Sequence, residues 1–132
     1  MKAFSATLLV ALTAITLACG YSSKSTTPPQ PGTMPAIEAL APGSMTSGGA
    51  AFVLTVNGSN FATKAAINWN GVAQTTTFVS ANQLMTTIAA ADIATPATVP
   101  VTLTNPGTPG TGIYGNGATL AETSSPMNFT VN

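Results

Sequence analysis

Alternation of apolar and polar residues dominates the chain after residue 35, and its period of two is typical of β-strands. Phe52, Leu54 and Val56 share one face of a predicted strand over 51–56. Asn57-Gly58 follows, and because this pair favours positive φ, we expect the strand to end there. The pattern therefore predicts short strands that are separated by tight turns.

A second predicted strand, over 65–69, ends in a tryptophan and a sharp turn. Asn70-Gly71 predicts a two-residue hairpin turn after Trp69. Because Trp69 has the strand parity of Ile67, we expect it in the core rather than as a platform on which a sugar stacks. Further alternation predicts strands at 36–40, 72–76, 84–89, 98–105 and 127–131, and one helical turn at 90–94.

About seven short strands with turns at regular spacing predict an all-β fold, an immunoglobulin-like antiparallel β-sandwich. Pro100 stands inside the strand predicted at 98–105. Since proline has no N–H to donate to a neighbouring strand, we expect one side of that strand to be an edge or a bulge.

The chain is almost uncharged: charged residues make up 5% of it, against roughly 25% in ordinary soluble domains. Binding of nucleic-acid phosphates or of an anionic lipid surface needs clustered Lys and Arg, which this chain lacks. Its surface must be polar through Thr, Ser, Asn and Gln, as is typical of an exported β domain. We therefore predict no nucleic-acid partner.

Residues 1–18 have the features of a signal peptide. One charge, on Lys2, precedes an apolar run that is shorter than the about 20 residues of a membrane span. The only cysteine, Cys19, comes next, and 16–19 resembles a bacterial lipobox, whose cysteine carries lipid in the mature protein. Gly20 after the cysteine, by the same resemblance, favours the outer membrane. The alternative is a plain signal peptide that leaves Cys19 as a free thiol.

Residues 19–34 are rich in Pro, Ser and Thr and show no apolar periodicity. They are predicted to be a lipid-anchored tether, which at ~3.1 Å per residue would hold a domain up to about 45 Å from the headgroups. The alternative is a disordered mature N-terminus without an anchor.

Several short motifs between 35 and 131 resemble the IPT/TIG domain in their order and spacing. They are Pro35-Ala36-Ile37, Leu40-Ala41-Pro42, Gly48-Gly49, FVLTVNGSNF at 52–61, Trp69-Asn70-Gly71, Asn82-Gln83-Leu84, the 90–94 segment and VTLTNPG at 101–107. The resemblance implies an immunoglobulin-like sandwich over 35–132, of a kind used in cell-surface receptors, adhesins, extracellular enzymes and transcription factors. It implies no catalytic residues, because the family shares none.

The segment 108–125 departs from that family, in which the last strand follows much sooner. Loops longer than about 12–15 residues tend to be functional or disordered. Ile113 and Tyr114 are the bulky pair in this Gly-rich stretch, which makes them candidate contact residues. Alternatively, this pair covers the open end of the core, or the loop is disordered.

The sequence offers little reactive chemistry. It has no His to serve as a general base, and Cys19 stands alone. Glu38, Asp92 and Glu122 are far apart in sequence and form no metal-ligand motif. We predict neither catalysis nor a metal or cofactor.

These observations predict an exported, non-catalytic lipoprotein of the bacterial cell envelope, held in the membrane through Cys19. Its single module would contact an envelope or extracellular protein or a glycan. Two alternatives remain open: a structural subunit of an envelope complex with no ligand of its own, and a carbohydrate-binding module.

Overall fold

The structure, a computed structural model, describes residues 28–111 and 117–132. These residues form one 3₁₀ helix, Ala90–Ile93, and ten strands: β1 Ala36–Ala41, β2 Ser44–Met45, β3 Phe52–Ser59, β4 Ala66–Trp69, β5 Val72–Ala73, β6 Thr76–Ser80, β7 Gln83–Ile88, β8 Ala97–Asn105, β9 Glu122–Thr123 and β10 Met127–Val131. Seven of these strands have four or more residues and three have two. The predicted all-β class and the short helical turn are confirmed.

The strands form two sheets that pack face to face. One sheet has four strands in the order β1-β3-β7-β6, and the other runs β2-β10-β8-β4-β5, with β9 also pairing with β8. Neighbours are antiparallel except for β2 and β10, which are parallel. This arrangement confirms the predicted immunoglobulin-like antiparallel β-sandwich.

The core lies between the sheets, where strand alternation places apolar side chains. Leu54 and Val56 of β3 and Leu84 of β7 face Ile67 of β4 and Val101 of β8, and all five are fully buried. Three aromatic rings complete the packing: Phe129 stacks on Phe52 at 5.5 Å between ring centroids and lies 5.1 Å from Trp69. Trp69 is only 4% exposed, so its predicted place in the core is confirmed.

The predicted end of the strand over 51–56 at Asn57-Gly58 is wrong. β3 continues through both residues to Ser59, and Gly58 pairs with Ile37 of β1. A Cβ at Gly58 would overlap the carbonyl oxygen of Ala36, so this glycine allows close approach of two strands rather than a turn. The residue in the left-handed region is Asn60, with φ of 61°.

At Asn70-Gly71 the turn prediction is confirmed. Both residues have positive φ, 50° and 81°, as a type I′ hairpin turn requires. The turn joins β4 to β5, with Trp69 opposite Val72.

The expectation that Pro100 marks an edge or bulge is wrong for the strand as a whole, because β8 lies between β10 and β4. Its carbonyl accepts a hydrogen bond from the N–H of Asn70, which lies one residue beyond the end of β4. Pro100 therefore lacks its N–H at a position where β4 has already ended and no strand carbonyl of β4 needs that donor.

Candidate functional site

Strand register distinguishes two ends of the sandwich. The end at which β8 begins, here called the Ala97 end, also holds the C-terminal part of β10, since Val131 pairs with Ala97. The end at which β8 finishes, the Asn105 end, holds the turn after β3, because the N–H of Ala62 donates to Oδ1 of Asn105. Over the nine residues of β8 the two ends are about 30 Å apart.

Residues 30–34, here called the N-terminal strap, lie along the Asn105 end. Gln30 forms a parallel bridge with Thr119: its N–H donates to Ala118 at 3.0 Å and its carbonyl accepts from Leu120 at 2.9 Å. Pro35, the next residue after the strap, is fully buried. The described end of the predicted tether is thus packed on the sandwich.

Asn105 joins three segments at this end. Its Nδ2 donates to the carbonyls of Thr33 and Asn60, each at 2.8 Å, and its Oδ1 accepts from the N–H of Ala62 at 3.0 Å. The residue is 5% exposed, so its own amide is largely shielded from water and depends on these three backbone groups for its hydrogen bonds. The sequence analysis used Asn105 as part of a family motif and missed this structural role.

The predicted 108–125 loop contains ordered structure on both arms. Thr108 and Thr119 exchange backbone hydrogen bonds at 3.0 and 3.1 Å, and β9 pairs with the end of β8. Oγ of Ser124 accepts from the N–H of Leu103. The candidate contact residues, Ile113 and Tyr114, lie outside the described residues, as does the predicted lipidation site, Cys19, and all three stay predictions.

A groove of about 500 Å³ runs along the outer face of the four-stranded sheet. It is lined by Val53, Gln74, Thr75, Thr77, Met85, Thr86 and Thr87. Val53 is 48% exposed, although it is apolar and points away from the core. The lining offers hydroxyls, one amide and two apolar side chains but no charge, which suits an uncharged polar partner.

Sequence reasoning missed this groove, although one signal for it was present. Val53 occupies the outward parity of β3, between the buried positions of that strand. A single exposed apolar residue is ordinary on a protein surface, so this signal was too weak to identify a contact surface by itself. The partner strands could not be assigned from the sequence, since Thr77 and Met85 become neighbours of each other only through the pairing of β6 with β7.

A second depression, of about 360 Å³, lies at the Ala97 end between the β4–β5 hairpin and the 3₁₀ helix. Asn70, Gln74, Asp92 and Thr95 supply its polar lining, and Gln74 also lines the groove. Trp69 forms part of its wall but is too buried to stack on a sugar.

The described residues bring no reactive set together. Glu122 lies on β9 near the Asn105 end, whereas Asp92 lies at the opposite end of the sandwich. Within 28–111 and 117–132, no group of three or more His, Cys, Asp or Glu residues could hold a metal ion. In the same ranges every buried polar side-chain atom has a hydrogen-bond partner. No helix there is long and apolar enough to span a membrane.

Comparison with known proteins identifies the fold and the family. A search of curated proteins found no match. The solution structure of the TIG domain from human nuclear factor of activated T-cells, cytoplasmic 4, is similar, with a TM-score of 0.50 and 18% identity. The match covers 76% of this chain and 90% of that one, and at this identity it shows the fold alone. The family model for the IPT/TIG domain matches residues 35–130, and the chain therefore belongs to the IPT/TIG family.

Proposed function

We propose that this chain is a non-catalytic lipoprotein of the cell envelope whose IPT/TIG module binds a protein or a glycan. Domains of this family typically act as interaction modules without catalysis. The anchor rests on Cys19, which is the only cysteine and follows an apolar segment with the features of a signal peptide. Gly20 favours the outer membrane as its location.

The observation that carries the binding function is the uncharged groove on the outer face of the four-stranded sheet. Its threonine hydroxyls and the Gln74 amide offer donors and acceptors, while Val53 and Met85 offer apolar contact. Small-ligand and peptide sites commonly combine these two kinds of surface in a concave shape. A partner without strong charge fits the groove, because no lining side chain can neutralise a charged group.

The test places a charge in the groove and the same charge on the opposite sheet. Thr77→Lys alters the groove, and Thr130→Lys is its matched control, since Thr130 is an exposed strand threonine on β10. Retention of solubilised envelope proteins and of cell-wall glycan fragments should fall for Thr77→Lys and not for Thr130→Lys. Equal retention by both variants and the parent would refute binding through the groove.

A second candidate function, a structural subunit without its own ligand, is favoured by β6. This strand is at one edge of its sheet, and Phe78 and Val79 are 37% and 47% exposed there. An edge strand with exposed apolar residues can pair with a strand of another chain. Val79→Lys should then abolish co-purification of an envelope partner. Thr87→Lys, in the groove but on the inner strand β7, should do so only if the groove is the contact.

A carbohydrate-binding module of the type that stacks a sugar on tryptophan has less support. Trp69 is the only tryptophan, and it is 4% exposed. Glycan recognition would then depend on hydroxyl and amide groups of the groove. Fluorescence of Trp69 should resist quenching by soluble sugars, and quenching would favour the stacking alternative.

A further inference from the structure

The N-terminal strap leaves the sandwich in a defined direction. Its parallel bridge places Gln30 beside Thr119, which lies opposite Thr108, three residues beyond the end of β8. Because the bridge is parallel, Gln30 and Thr119 run in the same direction. Towards the N-terminus from either residue, the chain leaves the sandwich at the Asn105 end. Pro28 and Pro29, which precede the strap, are exposed there.

We propose that the Asn105 end of the module faces the lipid surface and that the Ala97 end faces away from it. This inference rests on the proposed anchor at Cys19. The strap makes the attachment directional, because it is fixed to the sandwich by the Gln30 bridge and by the Thr33 carbonyl, which accepts from Asn105.

The length of chain before the strap supports a close approach to the bilayer. The 11 residues from Cys19 to Gln30 span at most about 34 Å as polyproline II and average roughly 18 Å as a flexible coil. The Ala97 end adds about 30 Å to that height, from the length of β8. The difference in height above the bilayer between the Ala97 end and the Asn105 end, about 30 Å, is therefore similar to the maximum length of the tether.

The residues at the Asn105 end fit a zwitterionic lipid surface. Met34 and Leu120 are large apolar residues there and are 58% and 51% exposed. Such side chains favour the headgroup boundary, where apolar burial rather than charge provides the attraction. One basic residue, Lys64, and two acidic residues, Glu38 and Glu122, lie towards this end, so no excess of basic charge would attract it to anionic lipid.

The orientation has a consequence for the groove. Val53 pairs with Thr87, and Phe52 at the start of β3 pairs with Ile88, so this part of the groove lies towards the Ala97 end. The second depression lies at the Ala97 end itself. A partner that approaches the Ala97 end, from the side facing away from the lipid, therefore meets the groove and the second depression before it meets the strap.

Energy transfer to labelled lipids tests this orientation in the full lipidated chain. Leu120→Cys and Val72→Cys are matched sites, since both side chains are apolar and exposed, and acylation of Cys19 leaves the new cysteine as the reactive thiol. Register places the two sites about 20 Å apart along the strands. In phosphatidylcholine vesicles with acceptor lipids, transfer should be several-fold stronger from a donor at 120 than at 72.

A strap variant separates orientation from anchoring alone. A Cβ at Gly32 would lie 2.5 Å from the carbonyl oxygen of Leu120 and 3.2 Å from Cγ of Glu122, so Gly32→Val must lift the strap. The difference in energy transfer between donors at 120 and 72 should then shrink. The emission of buried Trp69 should stay unchanged, which shows that the sandwich remains folded. Gly49→Ala, at the opposite end, is the control that should preserve the difference.

Each result supports or overturns the proposal. Equal or reversed transfer from the two sites, with acylated Cys19 confirmed by mass spectrometry, overturns the orientation and leaves the anchor intact. A difference that persists in Gly32→Val also overturns the role of the strap. An unmodified thiol at Cys19, with no vesicle binding, overturns the orientation and the proposed anchor together.

Discussion

Asn105→Ala tests whether the Asn105 end is held together by one side chain. The substitution removes an amide that donates to the carbonyls of Thr33 and Asn60 and accepts from the N–H of Ala62. All three bonds go to backbone groups, one in the strap at Thr33 and two in the turn after β3 at Asn60 and Ala62. The strap and the turn after β3 should therefore loosen from β8 together.

The expected loss follows from the number of bonds and from burial. A hydrogen bond contributes about 1 kcal/mol net to stability, and a buried group left without a partner costs about 1–3 kcal/mol. Asn105 itself is 5% exposed, but Thr33 and Asn60 lie near solvent, where water can partly replace the amide. We expect Asn105→Ala to lower the free energy of unfolding by about 3 kcal/mol, a large share of the 5–15 kcal/mol typical of a domain.

Urea unfolding followed by the fluorescence of Trp69 measures this loss, because that residue is the only tryptophan and lies in the core. The slope of the unfolding curve should stay the same while the midpoint falls. Asn128→Ala, an exposed asparagine on β10, is the control and should change stability by less than about 0.5 kcal/mol. A loss below about 1 kcal/mol for Asn105→Ala would refute the reasoning, since three lost hydrogen bonds should cost at least as much as one average bond even where water partly replaces them.

Three further outcomes are expected. Gly58→Ala should lower stability by about 3 kcal/mol in urea unfolding, because the new Cβ would overlap the carbonyl oxygen of Ala36; an unchanged midpoint would contradict the close approach of β1 and β3. Phe129→Ala should cost about 3–5 kcal/mol, measured by circular dichroism, whereas Phe78→Ala, at a partly exposed edge, should cost much less; similar losses would contradict the packing of the three core rings. Partner affinity through the groove should change by less than about twofold between low and high salt, and a steep salt dependence would contradict an uncharged contact surface.

The core of this fold could be predicted from the sequence because its strands alternate cleanly. The parity of Leu54, Val56, Ile67 and Trp69 placed each of them in the interior, where the structure has them. Asn70-Gly71 also identified its turn, because the conformation of that pair is determined locally. Alternation and local turn chemistry need no knowledge of the partner strand.

The errors arose where a long-range contact determines the conformation. Asn57-Gly58 has the composition of a turn, yet both residues pair with β1, and Asn57 also pairs with Gln83 of β7, so the strand continues through them. Pro100 suggested an edge, but β8 lies between β10 and β4, and a residue without an N–H is tolerated there because β4 ends beside it. The groove and the strap likewise depend on pairing between distant segments, which strand periodicity does not specify.

Two of the motifs that resemble the family meet at the Asn105 end. Phe61 lies 2.7 Å from the position of a Cβ on Gly58, and the carbonyl of Asn60 accepts from Asn105, so Gly58-Ser59-Asn60-Phe61 and Asn105-Pro106-Gly107 form one junction. Their side chains are engaged in joining β3, β8 and the strap. The groove side chains lie on the other face of the four-stranded sheet and take no part in that junction. Membership of the IPT/TIG family therefore accounts for how this sandwich is closed, while the proposed partner contact lies at residues outside these two motifs.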